Sequence, residues 1–131
     1  MTILRGYIFS RPFFGERAPQ HVQNIVLRDY CAQRKFTFLM SGTEYAIENC
    51  SLIFQQLVDN IDTVDGIVAY SLFQLPADNH IRKKLISQIL KKGKSIHFAV
   101  ETLIISDAES WDQCETIWEV KKISARSPEI I

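Results

Sequence analysis

The sequence lacks a net charge, a long apolar run and a closely spaced pair of cysteines. Its 15 Lys and Arg residues balance 15 Asp and Glu residues, whereas domains that bind nucleic acid through bulk electrostatics usually carry a basic excess. No apolar run approaches the roughly 18 residues of a membrane-spanning helix, and the first residues lack the pattern of a secretory signal. We therefore expect a cytoplasmic protein that has no membrane partner and does not use nucleic acid as its main partner.

Cysteines and histidines are few and scattered. The three cysteines are Cys31, Cys50 and Cys114. An odd number of cysteines without a CxxC pair predicts free thiols in a reducing compartment. The three histidines are His21, His80 and His97. No two of them have the spacing of metal ligands, so the sequence predicts no metal site, and no motif indicates a cofactor.

Short apolar runs alternate with helical patterns along the 131 residues. Strands are predicted at 3–9, 36–40, 66–71 and 95–100, with 102–105 as an extension or a fifth strand. Helices are predicted at about 19–34, 47–61, 78–92 and from 106 onward. This order predicts right-handed βαβ units. The expected fold is a three-layer α/β domain, a mostly parallel sheet of four to five strands with helices on both faces. We assign residues 1–123 to this domain and 124–131 to a frayed tail.

Apolar spacing predicts which helix faces are buried. In the first helix the buried residues should be Val22, Ile25, Val26 and Tyr30. In the second they should be Ile47, Cys50, Phe54, Leu57 and Ile61. In the third they should be Ile81, Leu85, Ile89 and Leu90, with Arg82 among the basic residues of a solvated outer face. Asp78 and Gly93 should cap the third helix. A capping box at 106–109 should open the last helix, which presents Trp111, Cys114 and Trp118 on one side.

Ligands of open parallel sheets bind beyond the carboxyl ends of the strands. The loop after the first strand holds Ser10, Arg11 and Arg17, whose two guanidinium groups suit a phosphate or carboxylate. The alternative is that both arginines pair with nearby glutamates as ordinary surface residues. After the second strand, Glu44 lies close to Tyr45 and suits acid–base chemistry, with a solvated helix start as the alternative.

Several of these segments resemble the catalytic domain of serine recombinases, the resolvase/invertase family. The similar pieces include Gly6-Tyr7, Ser41-Gly42, the stretch 70–75 and Glu101. In that family the first strand reads GYxRVS, and its arginine and nucleophilic serine act on DNA. Here the arginine position is Phe9, and Arg11 takes the serine position unless the register slips to Ser10. The family's LDRLxR stretch falls on 72–77, where its aspartate and both arginines are missing, so we expect no recombinase activity.

The sequence also resembles a smaller resolvase-like family, the sporadic carbohydrate cluster proteins. The matching stretches are Gly6-Tyr7-Ile8-Phe9-Ser10-Arg11-Pro12-Phe13, Pro19-Gln20-x-Val22-Gln23-Asn24, Glu44-Tyr45, Asn49-Cys50, Ser71-Leu72-Phe73-Gln74-Leu75-Pro76 and His97-Phe98-Ala99-x-Glu101. This resemblance implies a role among bacterial genes for surface polysaccharide or other glycan assembly. It implies no particular reaction, because neither a fold nor a gene neighbourhood specifies the chemistry of a protein.

We therefore expect a site for a sugar phosphate or another small anionic metabolite at the strand ends. Its expected catalytic residues are Ser10, Arg11, Glu44 and Glu101. Its expected ligand-binding residues are Arg17, Tyr45, Asn49 and Gln74. The alternative is a non-enzymatic interaction module that forms a homodimer through the last helix, on the side of Trp111, Cys114 and Trp118. In either case a homo-oligomer is expected.

Overall fold

The computed structural model describes residues 2–9, 18–47 and 49–126. Its strands are β1 (Ile3–Ile8), β2 (Thr37–Thr43), β3 (Gly66–Ala69), β4 (Ser95–Phe98) and β5 (Leu103–Ile105). Its α-helices are α1 (Gln20–Gln33), α2 (Leu52–Asp59), α3 (Asn79–Lys91) and α4 (Ala108–Arg126). Two 3₁₀ turns lie at Ile61–Thr63 and Leu72–Gln74. Residues 127–131 of the predicted tail fall outside the described part of the chain.

The five strands form one sheet in the order β2-β1-β3-β4-β5. All neighbouring pairs are parallel except β4 and β5, which are antiparallel. Successive side chains of a strand point to opposite faces, so β1 contributes side chains to two hydrophobic cores. Leu4 and Ile8 pack with residues of α1 on one face, while Tyr7 packs with residues of α2, α3 and α4 on the other. The predicted mostly parallel sheet with helices on both faces is confirmed.

β2 is longer than the predicted strand because it contains a bulge. Arg5 of β1 pairs with Leu39, but Tyr7 pairs with Gly42, so the register shifts by one residue between these pairs. A bulge absorbs an extra residue and lets pairing resume beyond it. The strand therefore continues to Thr43 instead of ending at Met40.

α2 begins later than its apolar spacing predicts. Ile47 and Leu52 are 69% and 61% exposed, and only Phe54 and Val58 of α2 are buried. Asn49 has a φ of 62°, and a left-handed residue cannot continue a right-handed helix. The prediction that Ile47 begins the buried stripe was therefore wrong.

α1 and α3 each bury a polar residue that the apolar spacing does not predict, and the predicted burial of Ile25 and Ile81 was wrong. Ile25 of α1 is exposed, whereas Gln23 and Leu27 are buried. In α3 the buried face contains Arg82, and Ile81 is 40% exposed. The prediction that Arg82 lies on the solvated face was wrong, because Glu115 of α4 offers its guanidinium a partner at 2.8 Å.

The ends of the helices follow local capping chemistry. Asp78 Oδ1 accepts the Ile81 N–H at 3.0 Å, and Gly93 has a φ of 70°, as expected for the two caps of α3. At α4 the capping box is shifted by one residue. Asp107 Oδ1 accepts the Ser110 N–H at 2.8 Å, and Ser110 Oγ accepts the Asp107 N–H at 3.1 Å.

Two further expectations concern α4 and the thiols. Cys114 and Trp118 are buried in this chain's own core, so that side of α4 is not available to a second copy. Within the described residues, Cys31, Cys50 and Cys114 form no disulfide, as predicted. Within residues 2–9, 18–47 and 49–126, no helix has the length and apolarity to cross a membrane.

Candidate functional site at the carboxyl ends of the strands

The four parallel strands end at one edge of the sheet, and most of the predicted site residues follow those ends. Glu44 follows β2, Gln74 follows β3 and Glu101 follows β4. Ser10, Arg11 and Arg17 belong to the segment after β1, which lies outside the described residues. Among the described side chains, Glu101 forms one hydrogen-bonded group and Gln74 forms another, while Glu44 caps a helix.

Glu44 is the cap of α2. Its carboxylate is almost fully buried, and Oε1 accepts hydrogen bonds from the Tyr7 hydroxyl at 2.9 Å and the Phe54 N–H at 3.2 Å. Oε2 accepts from the Ile53 N–H at 3.0 Å. Ser51, at the N-cap position, makes no side-chain cap bond. Glu44 therefore satisfies two of the first N–H groups of α2 from outside the helix, where a negative charge is also favourable.

Further donors use the remaining acceptor capacity of Glu44. The Tyr45 N–H lies 3.2 Å and the Cys50 thiol 3.5 Å from Oε2. Because this many internal donors occupy the Glu44 carboxylate, it holds the surrounding segments of the chain in position. Tyr45 and Asn49, expected beside it as ligand-binding residues, both have exposed side chains.

Glu101 joins the ends of β3 and β4. Its Oε2 accepts the Ser71 hydroxyl at 2.8 Å, and its Oε1 accepts the Leu72 N–H at 2.8 Å. Ser71 Oγ in turn accepts the Phe73 N–H at 3.2 Å. Glu101 is partly exposed. Both carboxylate oxygens of Glu101 therefore accept hydrogen bonds from the end of β3.

The charge of Glu101 also acts on the core below it. Burial, together with smaller effects from the charges of Glu101 and Glu115, raises the pKa of the Cys114 thiol to about 11. Cys114 is therefore protonated at neutral pH and is a core residue with no nucleophilic character.

Gln23 and Gln74 form a buried amide pair at the same edge. Gln23 Nε2 donates to the carbonyl oxygens of Phe9 at 2.6 Å and Ala18 at 2.8 Å. Its Oε1 accepts the Phe9 N–H at 3.3 Å and Gln74 Nε2 at 2.8 Å. Gln23 therefore joins Phe9 to Ala18, the two described residues that flank the segment 10–17 in the sequence.

The Oε1 atom of Gln74 has no hydrogen-bond partner within the described part of the chain, although the residue is only 2% exposed. A buried acceptor without a donor is costly, by about 1–3 kcal/mol. An unpaired buried polar atom in a native structure calls for an explanation. A ligand that donates a hydrogen bond to this oxygen is one such explanation.

Gln23 was not among the predicted site residues. Gln23 is a polar residue that lies among the apolar positions of α1. Amphipathic spacing alone predicts that such a residue faces solvent. Its role depends on Gln74, which is 51 residues away in the chain, and no local pattern reports such a contact.

His97 makes its hydrogen bonds outside this site, as far as the structure describes it. His97 is buried, with Nδ1 at 2.8 Å from the Tyr30 hydroxyl and Nε2 at 3.1 Å from Ser95 Oγ. Burial, with a smaller effect from the charge of Arg34, lowers the pKa of His97 to about 4. In the described ranges, no cluster of three or more His, Cys, Asp or Glu side chains is suited to a metal ion.

Comparison with solved structures identifies the fold. The chain superposes on the N-terminal catalytic domain of TP901-1 integrase with a TM-score of 0.62 and 15% identity, covering 92% of this chain and 95% of that one. It superposes on a resolvase family site-specific recombinase from Streptococcus pneumoniae with a TM-score of 0.64 and 9% identity, covering 94% and 91%. The fold is resolvase-like. No family model matches the sequence, and no curated protein matches it either.

Proposed function

We propose that the protein binds a small phosphorylated or carboxylated sugar-like metabolite at the carboxyl edge of the sheet, in a pathway of bacterial surface-carbohydrate assembly. The unpaired Oε1 of buried Gln74 is the observation that carries this proposal. A carbonyl oxygen accepts hydrogen bonds only, so its complement is a hydroxyl or amine of the ligand.

The segment 10–17 supplies the complementary charge in this proposal. Gln23 binds Gln74 and the carbonyls of Phe9 and Ala18, the residues that flank this segment, and Arg11 and Arg17 are the cations of the segment in the sequence. Guanidinium groups bind phosphate and carboxylate through paired hydrogen bonds. A ligand with both hydroxyl and anionic groups would use the amide and the arginines together, and Glu101 would bind a second hydroxyl or accept its proton.

The same geometry supports the absence of recombinase activity. Phe9, at the position of the family's arginine, is a buried core residue. Leu72 and Leu75 are buried in the same core, and Gln74 replaces one of the family's arginines. Chemistry at a DNA phosphate needs cations to stabilise the developing charge, and these positions do not provide them. The place in carbohydrate assembly is supported by the motif resemblance alone.

A thermal-shift screen tests the proposal. The wild-type protein is screened against sugar nucleotides, sugar phosphates and small carboxylates, since a ligand at a hundredfold excess over its Kd stabilises the folded state by about 2.7 kcal/mol. A hit is then titrated by calorimetry into Arg11→Ala and into Arg28→Ala, a matched loss of an exposed arginine on α1. We expect Arg11→Ala to weaken binding about 10-fold or more and Arg28→Ala to leave it unchanged. Equal binding to both variants, or no hit in the panel, contradicts the proposal.

A second candidate function is a homo-oligomeric interaction module in the same pathway, formed through α4. Its outer side exposes Ile117, Val120 and Ile123, with Val120 59% exposed. These residues have the three-residue spacing of one helix face. Val120 and Ile123 also line a groove of about 900 Å³ that Lys83 of α3 and residues of α4 form. This side is different from the expected one, since Cys114 and Trp118 face the core.

Sedimentation velocity over a wide concentration range tests the module. Contiguous exposed apolar side chains commonly mark protein interaction sites. We expect a dimer that Val120→Glu dissociates, whereas Val100→Glu, at another exposed valine outside α4, leaves it intact. A monomer at the highest concentration contradicts this candidate.

A further inference from the structure

A second cleft lies between β2, at the edge of the sheet, and α2. It measures about 380 Å³ and is lined by Arg5, Met40, Gly42, Leu57, Asn60 and Thr63, among others. That volume is within the range of small-molecule sites. None of Glu44, Gln74 and Glu101 lines it, so it is separate from the strand-end site.

Arg5 gives this cleft a positive charge. Its Nη1 donates to the Met40 carbonyl at 3.2 Å, and no carboxylate pairs with it among the residues the structure describes. The ion pairs found there join Arg82 to Glu115 and Lys92 to Asp62. An arginine has five N–H donors, so most of those of Arg5 remain available.

Nearby carboxylates are engaged with other groups. Asp65 Oδ2 accepts the Ile3 N–H at 2.7 Å, and Asp59 Oδ1 accepts Gln55 Nε2 at 2.8 Å. None of these acids lines the cleft. The lining thus combines one cation with uncharged side chains, an arrangement that favours an anion.

The β-bulge and Gly42 lie at this cleft. The register shifts after Arg5, and the Met40 carbonyl of the bulged strand accepts a hydrogen bond from the Arg5 guanidinium. A Cβ at Gly42 would lie 2.9 Å from Ile53 Cγ2 and 3.2 Å from Leu57 Cδ2. Glycine therefore permits α2 to lie close against β2, and the Leu57 side chain forms an apolar wall beside Arg5.

We propose that this cleft binds a small carboxylate that has a short apolar chain. The carboxylate pairs with the planar guanidinium of Arg5, which matches it in geometry. The apolar chain lies against Leu57 and Met40, and burial of each methylene adds affinity. The ligand class follows from this one cation and its apolar neighbours.

An NMR titration of the wild-type protein tests the proposal without any variant. Butyrate, n-butylammonium and inorganic phosphate are added separately, and the backbone amide of Gly42 and the side-chain amide of Asn60 are followed. We expect saturable shifts with butyrate, none with butylammonium, and weaker binding of phosphate, which has no apolar part. Binding of butylammonium equal to that of butyrate refutes the role of Arg5, and binding of phosphate as tight as that of butyrate refutes the role of the apolar wall.

Variants then assign the effect to Arg5. Arg5→Gln should weaken butyrate binding about 10-fold, and Arg5→Lys should retain part of it. Arg28→Gln, a matched loss of a guanidinium on α1, should change nothing. Butyrate binding that persists in Arg5→Gln overturns the proposal. Because Arg11 is not among the residues that line this cleft, failure here and failure of the strand-end site are separately observable.

Discussion

The ion pair between Arg82 and Glu115 joins α3 to α4, and Glu115→Gln tests how far it stabilises the domain. Arg82 Nε and Nη2 donate to the two carboxylate oxygens at 2.9 and 2.8 Å. The guanidinium also donates to the carbonyls of Pro76 at 3.1 Å and Ala77 at 3.3 Å, and it stacks on the Trp118 ring at 4.0 Å. Glu115→Gln removes the countercharge of a cation that is 0% exposed.

Loss of one partner from a buried pair typically costs about 3–5 kcal/mol. The Glu115 side chain is 18% exposed, and Arg82 keeps its backbone acceptors, so we expect a loss of about 2–4 kcal/mol in the free energy of unfolding. Urea denaturation measures this loss. It is a large fraction of the roughly 5–15 kcal/mol that stabilise a typical domain.

The matched control is Lys92→Gln, which removes an exposed ion pair of 3.4 Å and should change stability little. A double-mutant cycle of Arg82→Met and Glu115→Gln should show a coupling of about 2 kcal/mol. If Glu115→Gln costs less than about 1 kcal/mol, or no more than Lys92→Gln, the ion pair does not stabilise the packing of α4 against α3.

The pair also has a pH signature. Burial by itself raises the pKa of Glu115, but the hydrogen bonds and charge of Arg82 outweigh it, so the pKa is lowered overall. A carboxyl with a lowered folded-state pKa stabilises the fold above its unfolded-state pKa, and this contribution is lost as pH falls through the folded-state value. The difference in stability between wild type and Glu115→Gln should therefore shrink in acid.

Two further predictions concern buried polar groups. The pKa of His97 falls to about 4 because the ring is buried, so the unfolded chain binds the proton first, and stability should fall by up to about 3 kcal/mol between pH 6.5 and pH 4. Urea denaturation across that range measures the slope, and a slope unchanged in His97→Phe would refute the assignment. Glu44→Ala should cost about 2 kcal/mol or more, because it removes the cap of α2 and the partner of the Tyr7 hydroxyl. An unchanged urea midpoint in Glu44→Ala, with ligand binding lost, would indicate a chemical role for Glu44 in place of a structural one.

The order and type of the main elements are properties of the sequence itself. β-Branched runs such as 66–71 and the amphipathic pattern of α3 depend on residues close in the chain, and their alternation specifies a covered parallel sheet. Local capping chemistry likewise predicted Asp78 and Gly93 at the ends of α3. The strand ends, where polar residues follow β2, β3 and β4, also follow from this order.

Contacts between distant residues were decided by the tertiary structure. The residues next to Arg82 in the sequence predict that it lies on the surface. Only the contact with Glu115, 33 residues away, makes its burial favourable. Glu44 caps α2 from eight residues before its start, and Gln23 meets Gln74 across 51 residues. A polar side chain can be buried only where distant partners replace its water, and periodicity contains no information about those partners. The sequence therefore determined the layers of this protein, and packing determined which polar groups lie inside them.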